Sequence, residues 1–149
     1  NIQLIKKLRS YGGAPLPTPM QEISQLAWED EIHVQKSRQL YNQKYKIADK
    51  IFSNFDGYSS PSSGFFLWLK VGNGESFTQE IWRKHGLKCL PGSYLTFQEK
   101  GQTHEENVGF DYIRIALVHT PTETLDGLLK IAYSLKLNVE KKKEYYVNC

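Results

Sequence analysis

The sequence predicts an α/β two-layer sandwich, in which a small sheet is packed against helices. Two apolar segments, FFLWLKV at 65–71 and FDYIRIALV at 110–118, have the composition of strands. The segments around them show helical spacing of their apolar residues and begin at recognisable N-cap residues. The predicted order is helix, helix, strand, helix, strand, strand, helix. The 149 residues, 40% of them hydrophobic, suffice for one globular domain or a piece of a larger one.

The composition excludes several classes of protein. The net charge of +3, from 19 basic and 16 acidic residues, is too small and too scattered to indicate nucleic-acid binding. The longest uncharged apolar run, residues 64–69, is far shorter than the ~20 residues of a membrane span. The two cysteines form no disulfide framework and have no metal-ligand spacing to a histidine. We therefore expect a cytoplasmic protein with no nucleic-acid, membrane or metal partner.

The N-terminal third of the sequence predicts a loop followed by a long helix. YGGAPLPTP at 11–19 is too rich in glycine and proline for a helix and predicts an extended loop. Thr18 then offers an N-cap, and Gln21 completes a capping box. The apolar spacing that follows predicts a helix to about Asn54. Its apolar stripe changes phase around WEDEIH, so a bend or break is expected near Glu29–His33.

Three strands are predicted in the remainder of the chain. The segment 65–71 is apolar on both faces, which favours a central strand covered on both sides. Leu87–Leu90 reads as a short strand that ends at a Pro-Gly pair. The segment 110–118 has the strongest strand pattern in the chain.

Two further helices are predicted from their end signals. Ser76 and Gln79 have capping-box spacing, and Gly86 supplies a C-terminal stop. Thr120 and Glu123 have the same spacing at the start of the last helix, with a proline between them. Each signal fixes one end of a helix and so delimits the strands between them.

Arg114 is the most informative single residue because it lies in the middle of the best strand. Its neighbours Ile113 and Ile115 point to the opposite face, and Tyr112 and Ala116 share its own face. A guanidinium in a buried strand is costly unless it meets an anion. One interpretation is a clamp for a substrate carboxylate, which a planar guanidinium binds with two hydrogen bonds. The other is an edge-strand arginine paired with a structural Asp or Glu.

No other residues form a recognisable catalytic set. The histidines are scattered and are interpreted as cap or surface residues: His33, His85, His104 and His119. Cys89 has no basic partner fixed beside it and is interpreted as an inert core thiol. Lys6, Lys7 and Arg9 form a basic cluster, either a solvated helix end or part of an anion site.

Taken together, several motifs resemble a known family. The segments YGGAPLPTPMQ, AWEDEIHVQKSRQLYNQKY, SGFFLWLKV, LPGSYL and YIRIALV occur in an order that resembles the C-terminal third of class I/II aminotransferases. These enzymes have fold type I and use pyridoxal phosphate. The resemblance covers about residues 1–137 and is strongest to the proteobacterial N-succinyldiaminopimelate aminotransferases.

The resemblance implies a domain organisation and a set of partners. Residues 1–30 would end the large cofactor-binding domain and start the interdomain helix, 31–138 would form the small C-terminal domain of the aspartate-aminotransferase-like fold, and 139–149 would be a charged tail. The resemblance also implies a mainly antiparallel sheet with helices on one side and a long bent N-terminal helix. The implied partners are amino-acid and keto-acid substrates, the N-terminal large domain, and a second subunit in a homodimer.

The resemblance also assigns roles to individual residues. Arg114 matches the arginine that binds the substrate's α-carboxylate. Arg9 matches a position from which some relatives reach a distal carboxylate of the partner subunit's substrate. The loop residues Tyr11, Gly12 and Gly13 match a segment that crosses the dimer interface towards the partner's site.

The family's cofactor-binding lysine has no counterpart in this sequence. None of the lysines lies in a Ser-x-Ser-Lys type motif. The chain also opens inside an amphipathic pattern without an initiator Met. We therefore expect a fragment of a longer enzyme that binds no pyridoxal phosphate covalently and is inactive alone. The alternatives are another class I aminotransferase, for aspartate, aromatic or LL-diaminopimelate substrates, or a non-catalytic remnant or interaction module.

Overall fold

The computed structural model describes residues 1–12, 16–97 and 100–137. The elements, in chain order, are α1 (Ile2–Tyr11), α2 (Thr18–Glu29), α3 (Glu31–Phe52), β1 (Phe66–Lys70), α4 (Gly74–His85), β2 (Leu90–Pro91), a 3-10 turn (Gly92–Leu95), β3 (Tyr112–Ala116) and α5 (Pro121–Ser134). The predicted tail 139–149 lies outside the described residues. Within the described ranges, no helix combines the length and the apolar character needed to cross a membrane.

The chain divides into two units, Asn1–Ser37 and Arg38–Cys149. In the first unit neither α1 nor α2 has a buried residue. The predicted break near residues 29–33 is confirmed, because α2 ends at Glu29 and α3 begins at Glu31. Asp30 between them has extended backbone, and its carboxylate accepts a hydrogen bond of 2.9 Å from the Ile32 amide. This side chain starts α3 by satisfying an N–H group that the helix itself leaves unpaired.

The predicted capping box at the start of α2 is wrong. Thr18 is already the first helical residue, the N-cap is Pro17, and no side chain caps the helix. Gln21 instead donates a hydrogen bond of 2.7 Å to the Leu16 carbonyl. Proline near the first position accounts for the shift, since its missing N–H needs no cap there.

The second unit contains a three-stranded antiparallel sheet in the order β1-β3-β2. Two strand predictions need correction. β1 is an edge strand with one open face, not a central strand covered on both sides, and Trp68 on that face is 37% exposed. β2 is Leu90–Pro91 rather than Leu87–Leu90, and it does not continue past Pro91, because proline has no N–H with which to extend the ladder.

The core lies on one face of the sheet, between the strands and the three helices α3, α4 and α5. The predicted two-layer arrangement is therefore confirmed. The following residues have less than 2% of their surface exposed: Ala48, Phe52, Leu67, Leu69, Ile81, Ile113, Leu117, Leu125, Leu128, Ile131 and Ala132. The alternate residues of β1 and β3 lie on the opposite, more open face of the sheet, which we call the open face.

The helix ends of this unit confirm two predictions and correct one. Thr120 and Glu123 form the predicted capping box of α5, and Gly86 ends α4 in the left-handed conformation at φ 68°. The cap of α4 is Asn73 rather than Ser76, since the Asn73 side chain accepts the Ser76 amide at 2.9 Å. Asparagine accepts this bond as well as serine does, and its earlier position starts the helix at Gly74.

We expect this chain to self-associate through the first unit. The apolar side chains along α1 and α2 have half or more of their area exposed: Ile2, Leu4, Ile5, Leu8, Met20, Ile23 and Leu26. Exposed apolar side chains in such number favour association. Sedimentation velocity should show a concentration-dependent increase in mass. The double variant L8E/I23E should reduce it, whereas Gln3→Glu, which adds the same kind of charge at a polar position, should not. A parent chain that remains monomeric at every concentration would contradict the expectation.

Candidate functional site

Arg114 lies at the centre of the sheet. It belongs to β3, the middle strand, and pairs with Trp68 on one side and Leu90 on the other. Ile113 and Ile115 are buried on the core face, at 0% and 8% exposure, so the strand is anchored on both sides of the arginine. Arg114 itself is half-buried on the open face. The two faces predicted for this strand are therefore confirmed.

The surroundings of Arg114 are aromatic rather than acidic. Its guanidinium carbon lies 5.3 Å from the centroid of the Phe66 ring. Trp68 and Tyr112, on the same face, make an edge contact with centroids 6.3 Å apart. Among the described residues no ion pair involves Arg114, whereas Lys70 of the same face pairs with Asp111 at 3.5 Å. The alternative interpretation was an edge-strand arginine paired with a structural Asp or Glu. Neither feature is present in the described part of the chain, because β3 is the middle strand and no described carboxylate pairs with Arg114.

The other predicted site residues lie in the first unit. Arg9 is exposed in the last turn of α1, and Tyr11 ends that helix with 87% of its surface exposed. Gly12 has extended backbone and donates its amide to the Leu8 carbonyl at 3.1 Å. Gly13 lies outside the described residues. Their assignment to a dimer interface stays a prediction from the resemblance.

Cys89 is half-buried, and burial raises the pKa of its thiol to about 12. A thiol with such a pKa carries almost no thiolate near neutral pH. This supports the interpretation of Cys89 as an unreactive core residue.

A polar cluster joins three residues that the sequence did not connect. Glu75, in the first turn of α4, accepts a hydrogen bond from the Ser93 hydroxyl at 2.8 Å, and the same carboxylate oxygen lies 3.0 Å from Nε2 of His104. The carboxylate stands between the hydroxyl and the imidazole. In a nucleophilic triad the imidazole contacts the hydroxyl directly, so we assign this cluster a structural role. It attaches the segment after β2 to α4.

A buried lysine is the residue that sequence reasoning missed most clearly. Lys44 of α3 is 1% exposed, and its Nζ donates a hydrogen bond of 2.6 Å to the Leu117 carbonyl. Nζ also lies 4.8 Å from the centroid of the Tyr41 ring. Burial lowers the pKa of Lys44, because the charged form loses its hydration. Helical spacing alone gives no sign of this, since lysine is normally a surface residue.

The lowered pKa of Lys44 predicts a pH-dependent stability. Between the folded-state pKa and the unfolded value of 10.5, the unfolded chain binds more protons, so the free energy of unfolding rises with pH in that window. The Lys44→Met variant should lack this rise. Raised pKa values of Cys89 and Tyr58 act in the opposite direction. Urea unfolding of both proteins between about pH 8 and about pH 10 isolates the contribution of Lys44 as their difference. Parallel curves would show that Lys44 is charged and well solvated.

Comparison with solved structures identifies the fold. An aminotransferase from Neisseria meningitidis superposes with a TM-score of 0.76 and 30% identity, over 89% of this chain and 34% of that one. The aminotransferase AspB of Helicobacter pylori superposes with a TM-score of 0.75 and 29% identity, over 90% of this chain and 33% of that one. The chain has the fold of the C-terminal part of an aminotransferase. It spans about a third of the length of these relatives.

More distant aminotransferases share the same fold. The α-aminoadipate aminotransferase LysN of Thermus thermophilus, solved with N-(5'-phosphopyridoxyl)-L-leucine, superposes with a TM-score of 0.66 at 17% identity, over 91% of this chain and 36% of that one. No family model and no curated protein matches the sequence. The aminotransferase fold therefore rests on the structural comparison.

Two of the described lysines have partners within the fold. Lys44, its one lysine with almost no exposed surface, donates to a backbone carbonyl on the core side. Lys70 of the open face is paired with Asp111. No catalytic step through a cofactor is assigned to these two residues.

Proposed function

We propose that this chain is the substrate-binding C-terminal portion of a cytoplasmic, pyridoxal-phosphate-dependent aminotransferase, and that Arg114 binds the α-carboxylate of its substrate. One observation supports this assignment above the others. In an aminotransferase fold, the middle strand presents a guanidinium on an open face, and none of the described carboxylates pairs with it. A cation held in this way is suited to an anionic ligand.

Arg114 contributes geometry as well as charge. A guanidinium stays protonated at every relevant pH, so carboxylate binding does not depend on its titration. Its planar fork fixes the angle of a bound carboxylate and therefore the direction of the substrate's α-carbon. Pyridoxal phosphate, when bound in the complete enzyme, supplies the electron-withdrawing ring that acidifies the substrate's α-proton.

The proposal extends to a specific reaction. The resemblance to N-succinyldiaminopimelate aminotransferases implies transfer of an amino group between N-succinyldiaminopimelate and 2-oxoglutarate, in lysine and diaminopimelate synthesis. The enzyme would be a homodimer in which Arg9 and the loop Tyr11–Gly13 approach the partner's site. Other donors remain alternatives: aspartate, aromatic amino acids and LL-diaminopimelate.

The test is an assay of the complete reading frame that contains this chain. The purified protein should carry the cofactor's absorbance and convert 2-oxoglutarate to glutamate with one preferred donor. N-succinyldiaminopimelate should give the highest kcat/KM among the four donor classes. A protein that shows neither cofactor absorbance nor transamination would instead support a non-catalytic remnant or an interaction module.

We expect the 149-residue chain alone to form no stoichiometric covalent adduct with pyridoxal phosphate at any one lysine, because no lysine lies in the family's motif. The chain would be incubated with the cofactor and reduced with borohydride, and its peptides would be mapped by mass. Scattered substoichiometric labelling of exposed lysines is the expected result. A stoichiometric adduct on one lysine would contradict the prediction that the cofactor lysine lies elsewhere.

A further inference from the structure

A line of side-chain contacts starts at Arg114 and passes around the end of strand β1. The guanidinium carbon is 5.3 Å from the Phe66 centroid, and Phe66 makes an edge contact with Phe65 at 5.1 Å and 78°. Phe65 lies 6.3 Å from Tyr41 of α3, centroid to centroid. Lys44, whose Nζ is 4.8 Å from the Tyr41 ring, completes the line.

Lys44, the last residue of this line, is hydrogen-bonded to the chain just after β3, the strand that carries Arg114. Lys44 donates to the carbonyl of Leu117, three residues beyond Arg114. The Leu117 amide in turn donates to the Phe65 carbonyl at 2.8 Å. Both ends of the aromatic line are thus fixed to β3 or its immediate continuation. Phe66 thus contacts two neighbours, Phe65 and Arg114.

The strand register explains why Phe66 is the ring that contacts the arginine. Phe66 pairs with Ala116, so it stands diagonally from Arg114 on the same face of the sheet. Trp68 is directly opposite Arg114, but its ring contacts Tyr112 instead. A cation over an aromatic face is attracted by the ring's negative surface. Arginine has many rotamers when free, and a contact that selects one of them prepares the side chain for its ligand.

We propose that Phe66 is a positioning residue, which holds the Arg114 guanidinium in its binding orientation from a ring that Phe65, Tyr41 and Lys44 support. The claim that this orientation is the one that binds substrate rests on the proposed function of Arg114. The contact itself does not, so the two claims can be tested separately.

The contact is tested by NMR on the 149-residue chain. The Arg114 Nε–Hε signal would be assigned by its loss in Arg114→Lys. A nuclear Overhauser effect between this proton and the Phe66 ring is expected in the unmodified chain, together with a ring-current shift. Phe66→Leu should abolish the shift, Phe66→Tyr should retain it, and the matched control Trp68→Leu should leave it in place. The Overhauser effect needs no Phe66 variant, so it tests the contact even where Phe66→Leu fails to fold. Absence of the Overhauser effect, or an unchanged shift in Phe66→Leu, would overturn the inference.

The consequence for binding is tested in the complete enzyme. Phe66→Leu should raise the KM for the amino donor about fivefold with a smaller effect on kcat, the ratio that one exposed cation–π contact is worth. Phe66→Tyr should restore the KM. An unchanged KM in Phe66→Leu, in an enzyme that Arg114→Lys does impair, overturns the positioning role. If Arg114→Lys does not impair the enzyme, the proposed function of Arg114 is wrong. The contact between Phe66 and Arg114 is then tested by the NMR result alone.

Discussion

Replacing Arg114 with lysine in the complete enzyme should reduce kcat/KM for the amino donor by about two orders of magnitude. Weakening one partner of a desolvated, hydrogen-bonded charge pair costs roughly 2–5 kcal/mol. Arg114 is half-buried, so we expect the lower part of that range. Lysine keeps the charge but offers a single ammonium in place of the planar fork, so the substrate carboxylate is bound without a fixed angle.

Cofactor content provides the internal check on this prediction. The resemblance implies that the cofactor contacts lie in the preceding large domain, so we expect the cofactor's absorbance to be unchanged in Arg114→Lys. The matched control is Arg83→Lys, since Arg83 is an exposed residue of α4. It should leave both kcat/KM and absorbance at parent values. An Arg114→Lys enzyme with parental kcat/KM, or one that loses its cofactor, would show that Arg114 has another role.

The sequence was sufficient to predict which face of its strand carries Arg114, because the relevant signals are local. The alternation around Arg114 places Ile113 and Ile115 in the core whatever the partner strands are, so the face of the arginine follows from its own strand. The capping box at Thr120 and Glu123 is similarly local and proved correct. Both predictions rest on residues at most three positions apart.

The predictions that were wrong depended on strand order. The segment 65–71 is apolar throughout, and such a run does not distinguish a central strand from an edge strand with an aromatic open face. Its place at the end of the strand order, with an isolated Tyr58–Leu69 bridge on its other side, establishes it as an edge strand. The contacts of Lys44 and Leu117, 73 positions apart, depend in the same way on tertiary packing. No local pattern predicts which lysine will be buried.

Replacing Gly92 with alanine should destabilise the chain by about 1–3 kcal/mol, the range for forced overpacking of a buried site. A Cβ on Gly92 would overlap the Gly109 carbonyl oxygen and lie 3.0 Å from the Cβ of Tyr112. Both obstacles are close to the backbone, so no flexible side chain can move aside. The Gly109 carbonyl also accepts the Tyr112 amide at 3.1 Å, at the start of β3. Displacing it disturbs the strand two residues before Arg114.

A second glycine provides the matched control, because the same substitution there should change the free energy of unfolding in the opposite direction. Gly127 lies inside α5, and a Cβ at that position would meet only a methyl group of Leu87 at 3.8 Å, an ordinary contact distance. Gly127→Ala should raise the free energy of unfolding by about 0.5–1 kcal/mol, since alanine loses less backbone entropy in a helix than glycine does. Urea unfolding of the parent and both variants measures the two effects under identical conditions. If Gly92→Ala is as stable as Gly127→Ala, the backbones at Gly92 and Gly109 are not in close contact. The tight approach that fixes the start of the Arg114 strand would then be absent.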